Sequence, residues 1–507
     1  HGDGDIQEPV AQGSIALAGH WGLGKLIAYY DANEAQISGK VSRSDSTDYK
    51  KMYESHGWQV IEIDGHNRED IRTAIRKAQM EYEKPTVIIG RTTMASGCAT
   101  MEGDHNTHGA PLPPEEIKMT KEKLGLDPNL FFQLPEEVLK DFRNSYSYSQ
   151  EEVKAWNFNL NKRMQNEDFK EKWMMAINDD LPNINWPEFK PNQEVATRKV
   201  WGSVIEALAP KKETLVGGSA DLEPSNVTAG FAKMVKDFNK DNYSGRNFAY
   251  GVREFPMGTI NNGIAQHGGL KVFGATFFVF SDYERPAIRL RALQGLPVIS
   301  EYTHDSIFVG EDGPTHQPIE HIMSCRLIPN LLVLRPGDAN EAVVAAKIAF
   351  EQKDKPSLIL LTRQKLPVFD RSIYPDANNF AKGGYVMKET RAADITIFCT
   401  GSEVWVALEV ADILSEFNVR VVNLGCWEIF ETQSKNYKSD VIGPDKALKV
   451  SIEAGVTIGW QKFTGINGLN FGIDCFGDSG PGNEIADKLG IVPDKIAKKI
   501  KSHLSKK

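Results

Sequence analysis

Short apolar runs alternate along nearly the whole chain with segments whose apolar positions recur at helical spacing. LIAYYD (26–31), WQVIEID (58–64) and TVIIG (86–90) read as buried strands, with a helix expected over IRTAIRKAQMEYEK (71–84). Strands that are apolar on both faces and separated by helices belong to a mostly parallel sheet with helices packed over it. The rhythm breaks between about Pro113 and Pro191, where charged, Trp-containing segments such as 151–179 predict helices and no strand. It resumes near Val195 and runs through LVGGS (215–219), KVFGAT (271–276), LPVISE (296–301), LLVLR (331–335) and SLILLTR (357–363). After Gly383-Gly384 a third block follows, with strands at DITIFC (394–399), VRVVNL (419–424) and ALKVSIEA (447–454) and a helix through VALEVADIL (406–414). The pattern predicts three α/β units with mostly parallel sheets flanked by helices.

At 507 residues the chain exceeds a single core, which agrees with several domains. Its net charge of -9, with no basic stripe in the body of the chain, argues against nucleic acid as a partner. The basic end DKIAKKIKSHLSKK (494–507) carries Ile and Leu at helical spacing and predicts a solvated terminal helix. No run of eighteen apolar residues offers a membrane span. Cys98, Cys325, Cys399, Cys426 and Cys475 are scattered and form no CxxC, so they read as reduced, mostly packed thiols of a cytoplasmic protein.

The densest chemistry lies in EYTHDSIFVGEDGPTHQPIE (301–320), which holds two histidines, several carboxylates and a Gly-Pro turn without amphipathic period. Taken alone this run could be a polar surface loop. TGSE (400–403) sits between a strand and a helix and, with one glycine, predicts plain helix capping rather than phosphate binding. His105 and His108 have metal-like spacing, but nothing completes a zinc site.

Several ordered stretches carry a resemblance. Gly2-Asp3-Gly4 with Asn33, GDHNTHGAPL (103–112), GGSADLEPSN (217–226), GVREFPMG (251–258), ATFFVFSDY (275–283), the 302–320 run and LTRQKLP (361–367) are similar to stretches of the transketolases, in that family's order. The resemblance implies thiamine diphosphate and Mg²⁺ (or Ca²⁺) as cofactors. Asp3 and Asn33 would give the metal hard oxygens, Ala35 would add a backbone carbonyl, and Gly4 would let the backbone approach a diphosphate. Glu254 resembles the glutamate that bonds the cofactor's aminopyrimidine, and Asp221 another cofactor contact. Phe277, Phe280 and Tyr283 resemble the aromatics of the pyrimidine pocket, with Phe280 as the stacking ring. Their three-residue spacing also suits one face of a helix. His108 and His316 resemble active-site histidines, Asp312 a carboxylate that bonds a substrate hydroxyl. Arg198, Ser225, His304 and Arg363 resemble the anchor for a sugar's terminal phosphate.

The resemblance implies reversible transfer of a two-carbon ketol unit between sugar phosphates in the pentose phosphate pathway, by a homodimer with sites between subunits. Residues 1–150 would be the remainder of the diphosphate-binding domain, 151–192 a helical connector, 193–368 the pyrimidine-binding domain and 385–507 a carboxy-terminal α/β domain. No apolar strand precedes the Gly-Asp-Gly turn, so the first domain is expected to lack its amino-terminal part. The alternatives are a deoxyxylulose-phosphate synthase-like enzyme, which fits the 302–320 run poorly, and one subunit of a split transketolase, inactive on its own.

Overall fold

The computed structural model describes residues 1–390 and 392–506. Arg391 and Lys507, both within the carboxy-terminal region expected over 385–507, lie outside the described residues. The chain forms two compact units, one of His1–Trp173 with Asn239–Tyr243 and the other of Met174–Phe238 with Ser244–Lys507.

In the first unit, strand Thr86–Arg91 lies between Ile27–Ala32 and Gln59–Asp64, all parallel. One face is covered by helix Arg68–Gln79, whose Ala74 and Ala78 pack on Ile88. That helix starts where Asn67 caps two backbone amides. It ends at Gln79 rather than at 84, because the Glu81 carboxylate accepts from the amides of Glu83 and Lys84 and turns the chain ahead of Pro85. The helices expected in the strand-free region are Glu136–Arg163 and Glu167–Asn178, so residues 150 and 151 fall within one helix.

The second unit holds two larger sheets. The central one has five parallel strands in the order Leu332–Leu334, Ser357–Leu361, Ile299–Thr303, Lys271–Phe277 and Leu215–Ser219. All five are buried along their length, which is why their sequences are continuous apolar runs. The LPVISE strand begins only at Ile299, after Pro297, which has no amide to donate to the ladder.

The carboxy-terminal sheet has the order Tyr385–Lys388, Val419–Asn423, Ile395–Cys399, Leu448–Ile452 and Leu469–Phe471, with only the first strand antiparallel. The terminal helix Pro493–Leu504 is half solvated as expected. It buries Ile496, Ala497 and Ile500 in the unit's main core. No helix among the described residues is long and apolar enough to cross a membrane. The five cysteines are free thiols, four buried and Cys475 exposed.

Candidate functional site

Ligands of open parallel sheets bind beyond the carboxyl ends of the strands. In the central sheet Phe277 ends one strand, His304 directly follows Thr303, and Asp221 and Arg363 lie two residues past Ser219 and Leu361. Four singled-out residues from four stretches of sequence therefore share one edge of one sheet.

Glu254 is the first residue of helix Glu254–His267 and is only 7% exposed. Its carboxyl receives one long hydrogen bond, from Thr276 Oγ1 at 3.4 Å. Burial first, and then the nearby Glu284 carboxylate, hold its proton above the usual carboxylate range. It is not paired with Arg253, whose guanidinium donates to the carbonyl of Tyr250 at 3.1 Å. Glu284 itself is a buried carboxylate bonded by Arg291 and by the Tyr302 hydroxyl at 2.7 Å.

The aromatic stripe does not occupy a helix face. Phe277 closes a strand, Phe280 ends the 3₁₀ turn Phe278–Phe280, and Tyr283 sits in helix Ser281–Gln294. The strand-to-helix turn stacks the Phe277 and Phe280 rings at 5.8 Å, with Tyr283 edge-on to Phe280. His304 lies on the Phe277 ring at 3.8 Å, and His316 stands edge-on to Phe280 at 5.5 Å.

His304 is buried and takes a left-handed backbone (φ 62°), unusual for a side chain of its size. Its Nδ1 shares a hydrogen bond with Thr303 Oγ1 at 2.7 Å. Burial, then the charges of Arg198 and Arg363, depress its pKa to about 3, so the imidazole is neutral. Arg198 donates to the carbonyl of Ser225 at 2.8 Å, and burial and Arg363 lower its pKa too. Arg363 thus bears on both the Arg198 guanidinium and the His304 imidazole, and the three form a cationic cradle that an anion would relieve.

Asp312 is exposed in the turn between the left-handed Gly310 and Gly313, and Asp221 is exposed at φ 62°. His316 is half-buried and shares a hydrogen bond with Thr315 Oγ1 at 2.9 Å.

The first unit gathers the residues expected at a metal. Asp3 is 5% exposed, and its carboxylate accepts from the Tyr30 hydroxyl at 2.6 Å and the Glu34 amide at 3.0 Å. That second bond ties it to the 33–35 loop, which turns through Glu34 at φ 59° and where Asn33 Oδ1 accepts from the Ala35 amide. Among the described residues Asp3 is in no ion pair, so a buried carboxylate is left without a cation. A Cβ on Gly4 would meet nothing within 4 Å, which leaves space beside the turn. Hard oxygens, an uncompensated negative charge and open room fit a divalent metal with a diphosphate. His108 is exposed at the end of a 3₁₀ turn, in another loop.

Sequence reading missed two groups. Glu301 is fully buried mid-strand, where burial drives its pKa well up against the pull of Arg198. The adjacent Asn226 amide is spent on Thr276 O and Thr303 Oγ1. Arg335, also fully buried, follows the Leu332–Leu334 strand. A charged residue closing an apolar run was the signal in both LPVISE and LLVLR.

TGSE is not a simple cap. Ser402 makes no side-chain capping bond to its helix, and its hydroxyl turns to Glu403 at 2.6 Å. Glu403 and Thr400 face Arg335 instead.

Residues 1–182 match the thiamine diphosphate binding domain of transketolase, 193–368 its pyrimidine binding domain, and 383–492 its carboxy-terminal domain. The expectation of a first domain without its amino-terminal part is not borne out by the match to the first domain over residues 1–182. The transketolase of Bacillus subtilis (strain 168) is 41% identical over 516 residues, covering 100% of this chain and 77% of that protein. The solved transketolase of Leishmania mexicana superposes with a TM-score of 0.93 at 34% identity, covering 98% of this chain and 74% of that one. That of Pichia stipitis, in complex with sedoheptulose 7-phosphate, gives 0.93 at 36%, with the same coverage. The chain belongs to the transketolase family, transferases that use thiamine diphosphate with a divalent metal ion.

Proposed function

We propose that the chain transfers a two-carbon ketol unit reversibly from a ketose phosphate, such as xylulose 5-phosphate, to an aldose phosphate, such as ribose 5-phosphate. The observation that carries this reading is the shared sheet edge, where a buried Glu254 with a raised pKa and an aromatic wall lie beside a histidine–arginine anion cradle. Thiamine diphosphate, when bound, supplies a nucleophilic carbon and an electron sink.

In this reading Glu254 holds a proton towards the cofactor's aminopyrimidine, and the burial that favours its neutral form supports that role. Phe280 stacks on the ring, with Phe277 and Tyr283 lining the pocket and Asp221 at its edge. Asp3, Asn33 and the Ala35 carbonyl hold Mg²⁺ or Ca²⁺, with the diphosphate passing over Gly4. His316 and His108 move protons on substrate oxygens, a task suited to imidazole near neutral pH. Asp312 accepts a hydrogen bond from a sugar hydroxyl. Arg198, Ser225, His304 and Arg363 hold the terminal phosphate.

We assign 1–150 to the diphosphate-binding domain, 151–192 to a helical connector, 193–368 to the pyrimidine-binding domain and 385–507 to the carboxy-terminal domain. The working form is a cytoplasmic homodimer with sites between subunits, serving the pentose phosphate pathway. The test is sedoheptulose 7-phosphate formation from xylulose 5-phosphate and ribose 5-phosphate, with and without thiamine diphosphate and Mg²⁺. Formation that requires both cofactors is expected; none under any condition would overturn the reading.

A further inference from the structure

His304 is held in a conformation that it would not choose alone. A non-glycine residue in the left-handed region is strained, and persists where its surroundings over-determine it. The ring is held by Thr303 and Phe277, and the next residue in the turn carries a buried ion pair. Asp305 is 1% exposed and accepts from Arg335 Nε at 2.9 Å. Arg335 belongs to the same sheet edge, since it directly follows the Leu332–Leu334 strand.

The other end of Arg335 reaches the carboxy-terminal sheet. Its Nη1 donates to the carbonyl and hydroxyl of Thr400, both at 3.1 Å, and to Glu403. Glu403 is fixed in turn by the Ser402 hydroxyl and by the Ala454 amide at 3.0 Å. Glu453 binds the Thr400 hydroxyl, takes both Arg326 nitrogens at 2.8 Å and accepts from Trp460 Nε1 at 3.0 Å. The turn admits Arg335 only because residue 401 is glycine. A Cβ there would stand 2.7 Å from the guanidinium, and φ is 56°. Thr400 and Glu453 directly follow the Ile395–Cys399 and Leu448–Ile452 strands. The carboxyl ends of two sheets thus meet on one buried arginine.

We infer that the carboxy-terminal sheet, through Thr400, Glu403 and Glu453, positions His304 in the phosphate anchor by way of Arg335 and Asp305. This rests on the assignment of His304 to that anchor. None of the five touches the reacting atoms, so they are positioning residues, and the TGSE turn gains a purpose that its sequence did not disclose. Because the linkage ends on the phosphate end of the substrate, loosening it should weaken recognition of the phosphate and leave the chemistry alone.

The test compares xylulose 5-phosphate with phosphate-free xylulose as donor in the full chain, for Glu403→Gln and the isosteric Thr400→Val. Arg363→Ala serves as a control for the anchor. Both positioning variants should raise KM for the phosphorylated donor about tenfold, the equivalent of one weakened hydrogen bond to a charged group. The kcat with either donor, and KM for xylulose, should stay near wild type. Thr400→Val keeps side-chain volume and the Thr400 carbonyl contact, so it folds even where Glu403→Gln does not. If Arg363→Ala fails to discriminate between the donors, the anchor assignment falls. If it discriminates but Thr400→Val shifts both donors equally or neither, the positioning role is overturned.

Discussion

The central and carboxy-terminal sheets share a parallel build, and both crowd charged side chains at the carboxyl ends of their strands, yet they treat those charges in opposite ways. Beside the carboxy-terminal sheet the buried carboxylates of Glu403 and Glu453 each accept hydrogen bonds on both oxygens. Burial works against the charge of Glu453, but Arg326, Arg335 and Thr400 hold its pKa below the usual range. Burial likewise opposes Arg335, yet Glu403, Asp305 and Glu453 hold its proton more firmly than usual. In the central sheet Glu254 has one long hydrogen bond, and His304 and Arg198 face like charge. Saturated charges hold a structure in place. Under-satisfied ones in a cleft are available to a ligand.

The sharpest way to break that contrast is Glu254→Ala. Turnover should fall by about 10²–10⁴-fold, the range for removal of a proton-transferring group, as read from kcat at saturating thiamine diphosphate. An unchanged kcat would take Glu254 out of the chemistry.

Next in size is stability. Arg335→Met strands several buried carboxylates and should cost about 3–5 kcal/mol in denaturant unfolding. Glu254→Gln should cost little or even stabilise, because burial already disfavours the charged carboxylate there. Equal losses in the two variants would erase the distinction between saturated and available charge.

The smallest effect concerns pH. Below about pH 6.5 an unfolded histidine takes up a proton that folded His304, at about 3, refuses. Its contribution is therefore fully present above 6.5 and is lost as pH falls towards 3. His304→Gln removes that dependence. The difference in denaturation midpoint between the two proteins should be constant above neutral pH and move in favour of the variant as pH drops below 6.5. A constant difference down to pH 5 would mean that His304 is not held neutral.

Much of this was readable in the residues. The strands showed because burial on both faces leaves no polar position to break an apolar run, as in SLILLTR and DITIFC. The clustering of Glu254, Phe277, His304 and Arg363 was suggested only through resemblance, since no local pattern joins residues so far apart. Spacing alone left a helical face open for Phe277, Phe280 and Tyr283, where a strand, a tight turn and a helix mimic one helical stripe. Composition misled for TGSE, where Thr400 and Glu403 face a buried arginine and Ser402 turns to Glu403 instead of capping the helix.

The sequence by itself determined the alternation of strands and helices, and the kinds of groups able to bind a metal, a diphosphate and a sugar phosphate. Only the tertiary structure decided which charges meet. The neutrality of His304, the raised pKa of Glu254 and the reach of Arg335 depend on desolvation and on charges from distant strands. Both act through space at a few ångströms, and no local pattern along the chain records them.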